Sequence, residues 1–244
     1  MIWTSPILAR SLSKTMRHIL LLMFLAVGLY AAEVPPLTDI VQALEVDWPK
    51  NKTIHFVCHG HSVPAGYFKT PVVNSDQSYP ALWQTGLRQQ FPHAVLNVIV
   101  TAIGGEDSIA GAGRFERDVL ALRPAVVTID YALNDRGAGL VKAKAAWVQM
   151  IKAAKAAGIR VILLTPTPDQ RVNIDDPKNS LNLHAEQVRA LAKEHEVLLI
   201  NSLALFKARL KAGVPLPDLM SQVNHPNGAG HALIAEALLG LFRK

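Results

Sequence analysis

IHFVCHGHSVPAGY, residues Ile54–Tyr67, is the stretch that decides the fold of this chain. It opens with the apolar run Ile54–Cys58, which predicts a strand buried in a core. Gly60 and then Ser62 follow the strand, where a tight turn can direct a hydroxyl into a crevice. In open α/β sheets, ligands bind at the carboxyl ends of the strands. Taken alone, the segment fits equally well a glycine-containing loop whose serine caps the next turn.

Further apolar runs alternate along the chain with segments of helical periodicity. We expect strands at residues 54–58, 96–100, 125–131, 160–164 and 197–200. We expect helices at residues 38–44, 79–91, 114–122, 139–157, 181–195, 202–211 and 230–242. The strand runs are near-continuous in Val, Ile and Leu, which predicts burial on both faces. Strict alternation of strand and helix predicts an α/β domain: a three-layer α/β/α sandwich with a five-stranded parallel sheet of the flavodoxin-like type.

The composition limits the kinds of function open to the chain. Its 244 residues are 50% hydrophobic, enough for one sizeable core, and carry a formal net charge of +6. No run of Lys and Arg is interleaved with aromatic residues, so we expect no nucleic-acid partner. The one cysteine, Cys58, cannot form a disulfide within the chain and is expected to be a small buried hydrophobe. No cluster of Cys and His has the spacing of a metal site, so no metal or other cofactor is expected.

The first 32 residues have the pattern of a targeting segment. Lys14 and Arg17 precede the apolar run Ile19–Leu29, and Ala31 and Ala32 supply small residues for cleavage. The run is about a dozen residues long, which is short for a bilayer span. We expect a signal peptide or an uncleaved anchor at 1–32, a lead-in segment at 33–53 and one folded domain at 54–244. The protein is then secreted or periplasmic, without a stable membrane span after cleavage.

Polar and glycine residues follow the predicted strands at the points where the strands end. In chain order, they are Ser62, Gly104-Gly105, Asn134-Asp135, the polar loop Pro166–Ser180 and, before the last helix, Asn224-His225. Because the carboxyl ends of parallel strands face one crevice, we expect these residues to converge, with the loop as a wall or lid. A hydroxyl nucleophile, an imidazole base and two amide donors can carry out acyl transfer.

Four ordered blocks of the sequence resemble the SGNH (GDSL-type) hydrolases. Gly60–Tyr67 is similar to their first block, Ile103–Asp107 to the second, Leu133–Asp135 to the third and Asn224–Asn227 to the last. The resemblance implies that Ser62 is the nucleophile and that His225 is the base. It also implies an oxyanion hole made by the backbone N–H groups of Ser62 and Gly105 and the side-chain amide of Asn134, with no metal.

Ala132 replaces the usual glycine of the third block, and two further departures from the family pattern bear on catalysis. His61 stands where the family commonly has Asp, a residue generally regarded as structural. Three residues before His225, where the family usually has the triad acid, this chain has Gln222. In a serine protease, changing the triad acid to an amide costs about 10⁴ in turnover. An amide can accept a hydrogen bond from the imidazole but carries no charge, so Gln222 is a possible orienting residue. We therefore expect either a dyad in which a carbonyl orients His225, or another acid in that role.

The candidates for a substituting acid are Asp218, the nearest in sequence, and Asp175 and Asp176 from the long loop. The leading hypothesis is an exported serine esterase acting on a small O-acyl ester, acetyl on a carbohydrate being the favoured case. A lysophospholipase or thioesterase on the same scaffold is one alternative, and a non-catalytic binding module that has lost its acid is another. A nucleotide-binding domain is disfavoured because no glycine-rich phosphate loop follows the first strand.

Overall fold

The computed structural model describes residues 37–243, so the predicted targeting segment at 1–32 lies outside the described residues. The sheet strands are β1 Ile54–Gly60, β2 Leu96–Val100, β3 Val126–Asp130, β4 Arg160–Leu164 and β5 Leu198–Ile200. The helices are α1 Thr38–Leu44, α2 Tyr79–Gln90, α3 Ser108–Asp118, α4 Leu140–Ala156, α5 Ser180–Glu194, α6 Ser202–Lys211 and α7 Gly228–Gly240. The five strands are parallel and lie in the order β2-β1-β3-β4-β5.

Helices cover both faces of the sheet, and each face has its own apolar core. Phe56 and Cys58 of β1 point into one core, to which α1, α2, α6 and α7 contribute. Val57 points into the other, beneath α3 and α4, and α5 contributes to both. Burial on both faces explains why the strands are continuous apolar runs. The predicted three-layer sandwich with a five-stranded parallel sheet is confirmed.

The strand order reverses beside β1, because β2 lies on one side of it and β3 on the other. Such a reversal opens a crevice at the carboxyl ends of the strands. Gly60, the last residue of β1, is in register with Asp130, the last residue of β3. Ser62 and Asn134 therefore leave the sheet at the same crevice.

Helix α3 begins at Ser108, earlier than the predicted start at Arg114, and ends at Asp118; a separate 3₁₀ turn follows at Leu120–Leu122. The Asp107 carboxylate caps α3 by accepting the N–H groups of residues 109 and 110, at 3.1 and 3.0 Å. Glycines at 111 and 113 lower the helix propensity of the first turns, which hid the true start. Gly111 has a packing role, because a Cβ there would collide with the Tyr131 ring.

A short antiparallel pair precedes the last helix and was not predicted. Its strands are β6 Met220–Gln222 and β7 His225–Pro226. The short helix expected at 38–44 is present as α1. Within residues 37–243, no helix has both the length and the apolar character needed to cross a bilayer.

Candidate active site

Ser62 lies in the turn directly after β1. Gly60 lies so close to the Asp130 carbonyl oxygen that a Cβ at this position would collide with it, so the turn requires glycine there. The His61 N–H donates to the Asp130 carbonyl at 3.2 Å, and the Tyr67 N–H donates to the Ser62 carbonyl at 3.0 Å. These bonds fix the backbone around Ser62, whose residue surface is 7% exposed.

The hairpin of β6 and β7 brings His225 to Ser62. The Ser62 Oγ lies 2.8 Å from the His225 Nε2, although the two residues are 163 positions apart in the chain. The Ser221 hydroxyl contacts the carbonyl oxygens of His225 and Pro226, at 3.1 and 3.0 Å, and stabilises the hairpin. A hydroxyl within hydrogen-bond distance of an imidazole is the arrangement of an activated serine nucleophile.

The second ring nitrogen of His225 contacts the main chain. Nδ1 lies 2.8 Å from the Phe68 carbonyl oxygen. Because a carbonyl oxygen only accepts, this bond places the ring proton on Nδ1 and directs the Nε2 lone pair to Ser62. A general base requires this tautomer. The contact also contradicts the binding-module hypothesis, which requires that no carbonyl or carboxylate reaches this nitrogen.

Gln222 does not supply an acceptor to His225. Its amide nitrogen, not its oxygen, lies 2.7 Å from the His225 Nδ1. The amide oxygen is taken by the Thr70 N–H, which donates to it at 3.0 Å. The amide nitrogen also lies 3.2 Å from the Thr70 hydroxyl and 3.3 Å from the Asn224 Oδ1. These two acceptors take both hydrogens of the amide nitrogen, so this nitrogen does not donate to Nδ1, and the ring proton stays directed to the Phe68 carbonyl. The side chain in the position of the family acid is therefore held by its neighbours and supplies His225 with neither an acceptor nor a charge.

None of the candidate acids takes that position either. Asp218 is exposed in a 3₁₀ turn, and its main-chain carbonyl accepts from the Asn227 amide at 2.8 Å. Asp175 lies 3.8 Å from the Lys207 ammonium, and Asp176 accepts the N–H of residue 178 at 2.9 Å. The expectation of a substituting acid is not met by these three residues. The contacts agree with the other expectation, a dyad oriented by a carbonyl.

Asn134 is held at the crevice by the loop that follows β2. Its Nδ2 donates one hydrogen to the Glu106 carbonyl at 2.8 Å, which fixes the amide plane and leaves the second hydrogen to bind a ligand. Gly105, immediately before Glu106, has a φ of +84°, a conformation that glycine adopts without strain. The two predicted oxyanion donors outside the Ser62 turn, Gly105 and Asn134, therefore lie on two loops that this hydrogen bond joins.

Asp135 anchors this pair of loops to the helices. Its buried carboxylate accepts from the Ser108 N–H at 2.7 Å and from the Trp147 indole N–H at 2.6 Å. Burial raises the pKa of Asp135, and the bonds from Trp147 and Ser108 oppose that rise. Since Ser108 is the first residue of α3, the carboxylate also caps the positive end of a helix dipole.

Tyr67 connects the Ser62 turn to the other two parts of the site. A Cβ on Gly104 would lie 2.9 Å from the Tyr67 ring, so glycine permits the close packing of this ring on the loop after β2. The Tyr67 and His225 ring centroids are 6.3 Å apart. The predicted nucleophile, base and oxyanion segments thus lie around one aromatic ring.

Comparison with known proteins agrees with this geometry. A family model described as the GDSL-like lipase/acylhydrolase family matches residues 58–233. The chain belongs to this family. An acetylxylan esterase of Geobacillus stearothermophilus is 25% identical over 165 residues, which cover 63% of this chain and 75% of that relative. A crystal structure of an acetylxylan esterase from the same organism matches with a TM-score of 0.68 at 22% identity, over 82% of this chain and 97% of that one.

The GDSL-like family assignment confirms the resemblance to SGNH hydrolases and makes the chain a carboxylic ester hydrolase. Among residues 37–243, no group of three or more His, Cys, Asp and Glu side chains is placed to hold a metal ion. Covalent catalysis by serine needs a nucleophile, a base and oxyanion donors, all of which side chains and main-chain amides can supply.

The surroundings of His225 in this GDSL-like hydrolase favour the neutral imidazole. Burial lowers the pKa of His225, the hydrogen bond to Phe68 opposes this effect, and the nearby His61 lowers the pKa further. The ring is therefore neutral at pH 7 and can accept a proton. Phe68 itself stacks on His231 with ring centroids 5.3 Å apart. Burial lowers the pKa of His231 to about 3, and its Nδ1 accepts from the Tyr79 N–H at 3.1 Å, so Phe68 rests on a neutral ring.

The loop Pro166–Ser180 of the hydrolase is tied to two segments that carry site residues. Asp169 is buried and pairs with Arg136 at 2.6 Å, which ties the loop to the segment after Asn134-Asp135. The N–H of Gln170 donates to the carbonyl of residue 223 at 2.7 Å, which ties the loop to the hairpin that carries His225.

Two parts of the site were missed from the sequence. The Phe68 carbonyl is a backbone atom, and no residue type marks a position whose carbonyl faces a histidine. The other is Asp130, whose carboxylate lies 3.4 Å from the Nε2 of His61, with both side chains buried. Asp130 could have been found, because it is an acidic residue at the end of an apolar strand in register with Gly60.

Proposed function

We propose that this hydrolase removes a small O-acyl group, acetyl above all, from a carbohydrate ester through a serine acyl-enzyme. The 2.8 Å contact between the Ser62 Oγ and the His225 Nε2 carries the proposal. The bond from the His225 Nδ1 to the Phe68 carbonyl, at 2.8 Å, supports the basic tautomer. The acetyl group and the carbohydrate are supported by the acetylxylan esterase to which the chain is 25% identical.

In the first half-reaction, the Ser62 hydroxyl gives its proton to the His225 Nε2 while Oγ bonds to the ester carbonyl carbon. The carbonyl oxygen becomes an oxyanion, and the N–H groups of Ser62 and Gly105 and the Asn134 amide donate to it. One such preorganised donor contributes about 3–4 kcal/mol in the transition state. The imidazolium then protonates the leaving alkoxide, so that the alcohol departs and acyl-Ser62 remains.

In the second half-reaction, a water molecule takes the place of the alcohol. The His225 Nε2 accepts a proton from the water as its oxygen attacks the acyl carbon. Collapse of the second oxyanion breaks the bond to Ser62 Oγ, which regains the proton from the imidazolium. The acid is released and the enzyme is restored. The Phe68 carbonyl keeps the Nδ1 proton in place throughout, so that Nε2 is the nitrogen that exchanges protons.

Hydrolysis of p-nitrophenyl acetate by a chain lacking residues 1–32 tests this proposal. We expect turnover by the parent and a loss of activity to background in Ser62→Ala. The loss in His225→Ala should be smaller. Acetylated xylose and acetylated xylan then test the carbohydrate, with release of acetate as the readout. A parent as inert as Ser62→Ala on every ester would refute the proposal.

Exposed apolar side chains favour a second candidate, a lysophospholipase or thioesterase. The segments that carry the site leave Val72, Ile103 and Val223 exposed, at 57%, 46% and 44% of their surface. Such side chains can contact an acyl chain longer than acetyl. A chain-length series of p-nitrophenyl esters separates the two functions. A maximum of kcat/KM at acetate supports the acetylesterase, and a maximum at eight carbons or more supports the alternative.

We also propose that the protein is exported, on the basis of the pattern in residues 1–32. Expression of the full chain in its native cell type, followed by cell fractionation and sequencing of the mature N-terminus, tests this. Recovery outside the cytoplasm with a new N-terminus near residue 33 is expected. A full-length chain in the cytoplasm would contradict export.

A further inference from the structure

The Ser62 hydroxyl has a second imidazole beside it. The His61 Nδ1 lies 3.3 Å from the Ser62 Oγ, compared with 2.8 Å for the His225 Nε2. The hydroxyl therefore lies within reach of two ring nitrogens from different parts of the chain. His61 is 0% exposed, so water does not compete for its ring.

The hydrogen bonds of His61 identify its tautomer. The Val63 N–H donates to the His61 Nδ1 at 3.3 Å, which requires a lone pair on that nitrogen. The ring proton is then on Nε2, which faces the Asp130 carboxylate at 3.4 Å. This contact is a close approach and not a hydrogen bond: within residues 37–243, neither the His61 Nε2 nor the Asp130 Oδ1 has a hydrogen-bond partner, so each atom is free to interact with the other. His61 thus presents a basic nitrogen to Ser62 and an N–H to Asp130.

The Asp130 carboxylate is buried, so a cationic or hydrogen-bond-donating neighbour stabilises it. It is 1% exposed, and its other oxygen is 3.4 Å from the Tyr79 hydroxyl. A buried carboxylate without a partner is unfavourable, and a positive charge formed on the neighbouring ring during the reaction is attracted to it. Carboxylate, imidazole and hydroxyl follow one another from Asp130 through His61 to Ser62, the order found in serine hydrolase triads. The acid that is absent behind His225 is present behind His61.

We propose that His61, supported by Asp130, is a second proton acceptor for Ser62; this rests on the proposed esterase function. In this route the Ser62 O–H bond breaks and its proton passes to the His61 Nδ1, while Oγ bonds to the ester carbonyl carbon. The Val63 N–H gives up its bond to Nδ1, and the imidazolium forms next to the Asp130 carboxylate. The imidazolium then protonates the leaving alkoxide. His225 is nearer and needs no such displacement, so it carries most of the flux.

Removal of His225 exposes the second route. We expect His225→Ala to release p-nitrophenol from p-nitrophenyl acetate, as it forms acetyl-Ser62, at a rate at least about 10-fold above that of Ser62→Ala. A positioned base accelerates proton transfer by a factor of about 10²–10⁴. The double variant His225→Ala/His61→Asn should lose this residual rate. The Asn oxygen can still accept a hydrogen bond from the Val63 N–H, but it does not accept a proton from Ser62. A water that fills the space of His225 would be present in both variants, so it cannot account for a difference between their rates. Burst-phase release of p-nitrophenol and intact mass measure the acylation.

A pH profile separates proton transfer from a structural role. If His61 accepts the proton, the residual rate of His225→Ala should depend on pH in a way that is absent from the double variant. His225→Ala/Asp130→Asn keeps the volume of Asp130 without its charge and should lower the residual rate several-fold. His59→Asn in the His225→Ala background is the matched control, since His59 is a buried histidine of β1, two residues before His61, and bonds to Thr101 and Gly111 instead of Ser62.

The outcomes distinguish this proposal from the esterase proposal. An active parent with His225→Ala no faster than Ser62→Ala overturns the role of His61 and leaves the esterase intact. A double variant with the same rate and pH profile as His225→Ala does so too. A parent as inactive as Ser62→Ala refutes both. If circular dichroism shows that the His61→Asn double variant is unfolded, the Asp130→Asn double variant decides: a residual rate equal to that of His225→Ala overturns the role.

Discussion

Replacing Gln222 by Glu places a carboxylate where the family usually has one. The two side chains have the same shape, and the oxygen that accepts the Thr70 N–H at 3.0 Å is kept. The second oxygen replaces the amide nitrogen that lies 2.7 Å from the His225 Nδ1. The Thr70 hydroxyl, at 3.2 Å, can donate to this oxygen, and Asn224 can turn its amide to do the same. The change therefore replaces a neutral amide nitrogen beside Nδ1 with a charged acceptor.

The expected gain is the difference between a charged and a neutral acceptor for the Nδ1 proton. The Phe68 carbonyl already accepts at 2.8 Å, and a neutral hydrogen bond contributes about 0.5–1.5 kcal/mol. A hydrogen bond to a charged group contributes about 1.5–3 kcal/mol, so the gain is about 1–2 kcal/mol. Since about 1.4 kcal/mol is a factor of ten in rate, Gln222→Glu should raise kcat/KM about 5- to 30-fold. The same interaction raises the pKa of His225, because a nearby carboxylate favours the charged imidazolium.

The assay is kcat/KM for p-nitrophenyl acetate as a function of pH, with Gln222→Ala as the matched control. The Ala variant keeps the Phe68 carbonyl and should lose less than about 5-fold, because only a neutral contact is removed. Gln222→Glu should gain activity on the alkaline plateau and lose it earlier on acidification. A Glu variant with unchanged or lower activity and an unmoved acid limb would refute the reasoning. So would a Gln222→Ala variant as impaired as His225→Ala.

Three further predictions concern the parent and two other positions. Because burial lowers the pKa of His225 from the ordinary 6.5, the acid fall of kcat/KM for p-nitrophenyl acetate should have its midpoint below pH 6.5; a midpoint at or above 6.5 would contradict this. Arg114→Met leaves the Glu106 carboxylate without its partner at 2.6 Å and leaves Asp118, which lies 3.0 Å from Arg114, paired with Arg117 alone. The change should cost about 3 kcal/mol in urea unfolding; a cost below about 1 kcal/mol would show that water replaces the lost pairs. Gly104→Ala should displace the Tyr67 ring, 2.9 Å from the new Cβ, and lower kcat with little loss of stability, whereas Gly113→Ala, which meets nothing within 4 Å, should leave kcat unchanged.

The strands were predictable because parallel strands that are buried on both faces have continuous apolar sequences. The run at Val126–Asp130 needed no knowledge of its neighbours to be identified. The order of polar blocks after the strands then predicted which residues meet. Ser62 and His225 were paired in this way, and the structure brings their side chains together.

Other features depend on tertiary contacts that no local pattern records. The start of α3 at Ser108 depends on the Asp107 cap and on the Tyr131 ring, whose packing requires Gly111. Neither contact is visible in the local sequence, so the helix was predicted to start too late, at Arg114. The orienting group of His225 was left open among several residues, since the answer is a main-chain atom. His61 was read only as a departure from the family, because its partner Asp130 comes from another strand.

The use of the Phe68 carbonyl changes which mutations can disable the base. A side-chain acid is lost by one substitution at one codon, but a carbonyl is present whatever residue stands at position 68. The orientation of the base depends instead on the conformation of the chain from Tyr67 to Val73. A bridge between these two residues and a hydrogen bond from the Phe68 N–H to the carbonyl of residue 72, at 3.0 Å, close this loop. The mutational target for loss of catalysis is therefore a loop conformation, and insertions or deletions in this loop should be more harmful than most substitutions.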